Sequence, residues 1–433
     1  MILLFNQYFS DKNVVPTIPL NLLSLATYLN SKNLNCKIYE LGGLQDYEVE
    51  RIVRKENPFI IGIGCQFTPH FNEVLQIAKL IKKISSHINV VIGGNHASTM
   101  TELVENIDYI VKGEGELNFY DLCSDLYKGI PTNRIREAYP LVKDLDSLPI
   151  LDYSLINLQR YISYHSPFFM REPVLGIITS RGCPNNCIYC TVKGVWGRSW
   201  RGKSPKRVVD EIELLMCNGI REFQIMDDSA SVDKKRWEGI CNEIIRRKLD
   251  IRWSTPNGIA HWTLDKPLLK KMKEAGCYRI TLGIESGNPD IRKFINKDYS
   301  LNQAKEIIDY ANKIGMWTIS TTILGFPNET KEQMYDTLNF VKKSNVDFTT
   351  FFLLDSYPSA DVFKYKVDLT LANQLRNKFY QSFLINRILH FWNIIYKIHS
   401  LEDLQYTLRL VSNGFKIFLK SFGMKTTKGL LYK

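Results

Sequence analysis

Between residues 180 and 190 the chain reads Ser-Arg-Gly-Cys-Pro-Asn-Asn-Cys-Ile-Tyr-Cys, so Cys183, Cys187 and Cys190 fall within one turn-rich stretch. The apolar run 174–179 precedes it, a strand pattern that ends in Gly and Pro. Three thiols therefore gather at the C-terminal end of a strand. Three thiolates do not close a tetrahedral zinc site unless a fourth ligand arrives from elsewhere. A cubic [4Fe-4S] cluster takes four thiolates, so a three-cysteine loop leaves one iron open to another ligand. A structural zinc knuckle or three unligated buried cysteines are the alternatives. Carboxylates recur after later apolar runs. Asp227 and Asp228 follow the run 222–226, and Glu285 and Ser286 follow the run 278–284. Such groups accept hydrogen bonds from an ammonium or from a vicinal diol, and an idle buried Glu would be costly. After the run 317–324 come Gly325 and Pro327, which make a turn, and Glu329, whose carboxylate suits the start of the next helix.

These positions need elements to hold them. From residue 174 onward, strand patterns at 174–179, 222–226, 251–255, 278–284, 317–324 and 348–354 alternate with helix patterns such as 205–217, 234–248 and 303–314. Six consecutive units predict an open, partial (βα)6 TIM-type barrel, with chemistry at the strands' C-terminal ends. Residues 1–130 alternate in the same way, with strand patterns at 2–6, 36–41, 59–65, 90–94 and 108–113 and helices such as 20–29 and 71–84. That is an α/β, Rossmann-like (flavodoxin-like) domain, which binds ligands beyond the carboxyl ends of its strands. Its loops there are 65–69, including Phe67, then 93–98 with Gly93, Gly94 and His96, and 113–116 with Gly113 and Glu114. Glycine lets backbone approach a bulky ligand. No Gly-x-Gly-x-x-Gly follows the first strand, which argues against a dinucleotide. The domain reading is 1–130, a linker at 131–170, the barrel at 171–355 and a helical, basic region at 356–433.

The cysteine spacing, with Arg181-Gly182 ahead and Tyr189 inside it, resembles the cluster loop of the radical S-adenosylmethionine (radical SAM) superfamily. The segments Val-Ile-Gly-Gly-Asn-His-Ala-Ser at 91–98 and Lys-Gly-Glu-Gly-Glu at 112–116 are similar to the cobalamin-binding domain that precedes the barrel in many members. The resemblance implies a [4Fe-4S] cluster on Cys183, Cys187 and Cys190. It further implies S-adenosylmethionine (SAM) chelated to the open iron and cleaved by one electron to a 5′-deoxyadenosyl radical. By the same resemblance, Asp227 or Asp228 meets the ammonium of SAM, Glu285 and Ser286 its ribose, and Gly325 its adenine, which Tyr189 also touches unless that ring is a buried packing residue. A helix N-cap role is the alternative for one of the two aspartates. Trp196, Arg198, Trp200 and Arg201 are expected to cover the cluster. Gly93, Gly94, His96, Gly113 and Glu114 would line cobalamin. No Asp-x-His-x-x-Gly is present, so the cofactor is expected base-off with no protein ligand, His96 being a loop residue that contacts it or caps a helix. The activity implied is methylation of an unactivated carbon in a small-molecule or lipid substrate. Cyclisation, ring contraction or sulfur insertion, or a noncatalytic metal-binding scaffold, are the alternatives. A reducing partner such as flavodoxin or ferredoxin is expected. Ser359 stands where relatives often have glycine, in Ser356-Tyr357-Pro358-Ser359-Ala360.

With 433 residues, 45% hydrophobic and 23% charged, the composition is that of a globular protein of two or three domains. No signal peptide and no spanning helix are expected, and the scattered remaining cysteines fit a reducing cytoplasm. The net charge of +11 is uneven: residues 1–130 carry 11 Lys and Arg against 14 Asp and Glu, residues 356–433 carry 12 against 4. In that basic tail Leu375, Phe379, Phe383, Ile388, Phe391, Trp392 and Ile395 recur at helical spacing, and the pattern continues to Phe422. It reads as a helical cap packed on the barrel, or as an amphipathic surface in peripheral contact with a membrane. No DNA- or RNA-binding module occurs, so nucleic acid is not an expected partner.

Overall fold

The computed structural model describes residues 1–6, 17–66, 68–163, 165–390 and 392–421. Phe67, Phe391 and Phe422 lie outside the described residues. The chain forms two compact units: 1–161 with 190–201 and 357–361, and 162–189 with 202–356 and 362–433.

In the first unit six parallel strands, β1 (Ile2–Asn6), β2 (Cys36–Glu40), β3 (Ile60–Gly64), β4 (Asn89–Gly93), β5 (Tyr109–Val111) and β6 (Ile135–Arg136), lie in the order β2-β1-β3-β4-β5-β6. Parallel strands with helices on both faces bury both sets of side chains, which explains the unbroken apolar run of β1. Leu3 and Phe5 pack with Ile61, Ile63 and the helix Phe71–Ile84. Ile2 and Leu4 pack on the other face with Leu22, Phe119 and Leu122. Strand order reverses between β1 and β3, and a crevice of that kind is where such sheets take ligands. The segment that follows β3 borders it, and the one that follows β4 lies next to that.

The second unit begins with β7 (Val174–Ile177) and the short β8 (Ser180–Gly182). Another short strand, β9 (Trp200–Gly202), follows the cysteine loop in sequence. Then come β10 (Glu222–Ile225), β11 (Arg252–Ile259), β12 (Cys277–Glu285), β13 (Trp317–Leu324) and β14 (Phe348–Leu353). Their sheet is parallel and ordered β14-β13-β12-β11-β10-β7, a six-stranded open barrel. β11 runs four residues past its expected end, because an irregularity in its pairing with β12 absorbs Pro256, Asn257 and Gly258. Side-chain caps start the intervening helices: Ser204 accepts from Arg207 N, Asp233 from Arg236 N, Asp265 from Leu268 N, Ser300 from Gln303 N and Thr330 from Gln333 N. The helix Lys234–Arg246 is thus capped by Asp233 rather than by Asp227 or Asp228, which lie a full turn too early.

The C-terminal helix Leu401–Ser421 closes the other end of the barrel, beneath the strand starts. Glu222, fully buried at the start of β10, accepts from Tyr278 Oη at 2.6 Å and from Arg171 N at 2.6 Å. Arg279 supplies the opposite charge and donates to Phe168 O and Tyr406 Oη. Arg409 donates to the carbonyls of Phe169 and Met170, and Arg171 and Arg252 pair with Glu402. Of the expected C-terminal stripe, Leu375, Phe379 and Phe383 are buried, as a cap on the barrel requires. Ile388 and Ile395 are exposed instead, since they lie beyond the turns that reach the barrel. Among the described residues no helix is long and apolar enough to cross a membrane.

Candidate active site

The stem of the cysteine loop is clamped from the end of β10. Asp227, 2% exposed, accepts from Thr179 N and Thr179 Oγ1 at 2.6 Å and from Ser180 Oγ at 2.5 Å. Asp228 Oδ2 accepts from Gly182 N at 2.9 Å. The structure therefore places both aspartates at the loop stem, where each shapes the approach to Cys183. Farther along, Asn185 Nδ2 donates to Cys183 Sγ at 3.3 Å, and Tyr299 Oη donates to Asn185 Oδ1 at 3.0 Å. Backbone bonds from Ile188 N to Ile295 O and from Val362 N to Ile188 O pin the far side.

All three thiols are half-buried and free of disulfides. Burial pushes the Cys187 thiol up, so the proton leaves as a metal arrives. Among the described residues no three His, Cys, Asp or Glu side chains already surround one point. The donor set of the loop is nonetheless three soft sulfurs with no carboxylate or imidazole, which fits an iron-sulfur cluster with one iron left open.

Glu285 ends β12 in the left-handed region, at φ 61°, just after a shift in strand register. The bulge turns a buried carboxylate toward Lys297, whose Nζ lies 2.7 Å from Glu285 Oε1 and 3.3 Å from Tyr189 Oη. A Cβ on Gly283 would stand 2.7 Å from Glu285 Oε1 and 2.8 Å from Lys297 Nζ, so a side chain there would displace the two charged ends from their present positions. Ser286 is fully buried and faces Thr337 Oγ1 at 3.3 Å, while accepting from Asn288 N. Lys297 escaped the sequence reading because it follows no strand. Its signal was only its place twelve residues past Glu285. The neighbouring stack of Trp262 on Tyr299, with ring centres 3.5 Å apart, was also missed. So was His261, buried just past β11 and kept neutral because burial pushes its pKa down to about 4.

Tyr189 lies 5.9 Å, centre to centre, from Phe326 in the turn after β13. That turn is held by Glu329, whose Oε2 accepts from Gly325 N at 2.7 Å and Phe326 N at 3.1 Å. The following helix is capped by Thr330, so Glu329 supports the turn rather than the helix. Burial raises its carboxyl from 4.5 to about 7. A carboxyl raised in the folded state takes up protons on folding, so its contribution weakens as pH rises from 4.5 through 7. Glu329→Gln should therefore flatten the pH dependence of unfolding in that window, because the variant has no carboxyl to ionise there. Urea denaturation at a series of pH values measures this.

In the first unit the loops after β3 and β4 cross closely. Gly94 has φ 108°, and a Cβ there would stand 2.6 Å from Cys65 O. Gly93 ends β4. His96 Nδ1 lies 3.0 Å from Thr68 Oγ1, its ring rests on Phe71, and burial lowers its pKa, leaving it neutral. A small cleft here is lined by Gln66, Thr68, Asn95, His96, Thr191 and Ser359, among others. Gly113 donates to Ser98 Oγ at 3.0 Å. Glu114, almost fully buried, accepts from Val142 N at 2.8 Å and from Arg201 Nη1 at 2.9 Å. Arg201 also lies over the Trp196 ring.

Residues 177–341 match the radical SAM superfamily and residues 12–122 match the B12 binding domain. An uncharacterised methyltransferase of Pyrococcus horikoshii is 32% identical over 379 residues, covering 82% of this chain and 80% of the relative. The chain belongs to the radical SAM superfamily, among the members that carry a B12-binding domain. As a B12-binding radical SAM enzyme it uses a [4Fe-4S] cluster, SAM and cobalamin. Cytidylyl-2-hydroxyethylphosphonate methyltransferase of Streptomyces wedmorensis is a more distant relative, 28% identical over 360 residues, which span 72% of this chain and 67% of that one. The solved structure of the radical SAM methyltransferase TsrM from Kitasatospora setae, with cobalamin and a [4Fe-4S] cluster bound, superposes with a TM-score of 0.71. It does so at 20% identity, over 83% of this chain and 73% of that one, and the likeness is one of fold.

Proposed function

We propose that this radical SAM enzyme transfers a methyl group to an unactivated carbon of a small-molecule or lipid substrate. The observation that carries the reading is one chain holding both a three-cysteine loop at the end of β7 and a B12-type sheet edge with glycine-lined loops. When bound, the cluster, SAM and cobalamin supply the electron, the radical and the methyl group. The chain's own residues position and shield them. Cys183, Cys187 and Cys190 are the proposed cluster ligands, and Asp227 and Asp228 hold the stem that aims Cys183. Lys297 fixes the Glu285 carboxylate as a hydrogen-bond acceptor for the ribose. Glu329 sets the amides of Gly325 and Phe326 at the adenine edge. Gly93, Gly94 and Gly113 allow close approach to the corrin, and His96, occupied with Thr68, is a lining residue and not a cobalt ligand. A low-potential one-electron donor of the flavodoxin or ferredoxin class is the proposed reductant. The region 356–433 is proposed as the part that meets a membrane surface.

The test is anaerobic reconstitution with iron, sulfide and cobalamin, followed by reaction with SAM labelled in its methyl carbon. Cobalamin uptake, release of 5′-deoxyadenosine and label in a product heavier by one methylene are expected. 5′-Deoxyadenosine formed with no label in product would point to cyclisation or rearrangement. A colourless preparation that binds only zinc would end the radical reading.

A further inference from the structure

Residues 295–299, just past the short helix Pro289–Phe294, run along the cysteine loop. Ile295 O accepts from Ile188 N at 3.3 Å, and Asn296 Nδ2 donates to Asn186 O at 3.2 Å. Lys297 Nζ lies 3.3 Å from Tyr189 Oη, and Tyr299 Oη lies 3.0 Å from Asn185 Oδ1. The last contact leads to a sulfur, because Asn185 Nδ2 donates to Cys183 Sγ at 3.3 Å. Tyr299 is itself held in place. Its ring lies on Trp262 with planes 9° apart, Lys297 Nζ stands 5.7 Å from the centre of the Trp262 ring, and buried His261 meets that ring edge-on. The chemistry of the partners fixes which way the Asn185 amide points. A thiolate only accepts, whereas a phenol hydroxyl donates or accepts. With Cys183 deprotonated, the amide therefore turns its N–H to the sulfur and its oxygen to the Tyr299 hydroxyl, which donates to it.

We propose that Asn185 raises the reduction potential of the cluster through its N–H on Cys183 Sγ, and that Tyr299 positions that amide. The electron taken from a low-potential donor adds negative charge that the ligating sulfurs share. An N–H aimed at one of those sulfurs favours the more negative form, and hydrogen bonds to sulfur are one of the means by which a protein sets such a potential. The effect is an easier first electron transfer from a flavodoxin- or ferredoxin-class donor. The proposal rests on the reading of Cys183 as a cluster ligand.

The experiment is a redox titration of the enzyme reconstituted with iron, sulfide and cobalamin. SAM is left out so that turnover drains no electrons, and the low-temperature paramagnetic signal of the reduced cluster is followed. Asn185→Leu keeps the bulk of the side chain and loses the donor. At a fixed potential its ratio of reduced to oxidised cluster should fall about tenfold, a midpoint more negative by about 59 mV for one electron. Tyr299→Phe keeps the ring on Trp262 and loses the hydroxyl, and should shift the midpoint in the same direction by less. A purely structural role for either residue would lower iron content or melting temperature and leave the midpoint of the assembled cluster where it is. Midpoints equal to or more positive than the parent's, with iron content unchanged, overturn the proposal and leave Cys183 as a ligand. A parent that takes up no iron overturns the ligand reading and the proposal with it. If Asn185→Leu assembles no cluster, Tyr299→Phe decides: a more negative midpoint supports the proposal and an unchanged one overturns it.

Discussion

Cys187→Ala should yield a folded chain that stays colourless after reconstitution with iron and sulfide. Its release of 5′-deoxyadenosine should fall by a factor on the order of 10³ or more. The loop is held by backbone bonds at Ile188 and by the Asp227 clamp, none of which involves the Cys187 side chain, so loss of its sulfur leaves the stem in place. Two sulfurs that remain do not hold a cubic cluster with a single open iron, and without that iron SAM has no site at which to be reduced. Circular dichroism checks the fold, absorbance near the sulfur-to-iron charge-transfer band checks the cluster, and chromatography of 5′-deoxyadenosine checks the chemistry. Undiminished release by this variant would sink the assignment of the loop.

The second large effect concerns Lys297. Removing its charge in Lys297→Met strands the Glu285 carboxylate, which is 7% exposed and set by a left-handed backbone that points it inward. An uncompensated buried charge costs about 3–5 kcal/mol, so urea midpoints should drop accordingly, and SAM binding should weaken because the acceptor for its ribose is no longer held. The pair variant Glu285→Gln/Lys297→Met should recover most of the stability but not the SAM affinity. That split separates a structural ion pair from one that also positions a ligand, because contacting residues are coupled and a double-mutant cycle reads the coupling. Equal recovery of both would reduce Glu285 and Lys297 to packing.

Much of the architecture is a local property of the chain. β1, β13 and the helices Phe71–Ile84 and Pro205–Cys217 have the bounds that hydrophobic period and capping residues predict, because period and caps act within a few residues. The three cysteines are equally plain, since one short loop supplies all of them. β11 shows where this reasoning stops: Pro and Gly signal an end, yet cross-strand pairing carries the strand past them.

What the sequence by itself determined is the pair of parallel α/β units, the chemistry of the cysteine loop and the loops that carry glycine at the sheet edges. Tertiary structure alone decided that Asp227 is spent on the loop stem, that Lys297 meets Glu285, and that residues 190–201 and 357–361 pack with the first unit. The same holds for the C-terminal helix, whose buried side is chosen by Arg279 and Phe168 far away in the chain. Periodicity records which residues share a face. Which of two apolar faces finds a partner, and which carboxylate finds a cation, depends on groups tens to hundreds of residues apart, and no local pattern encodes that.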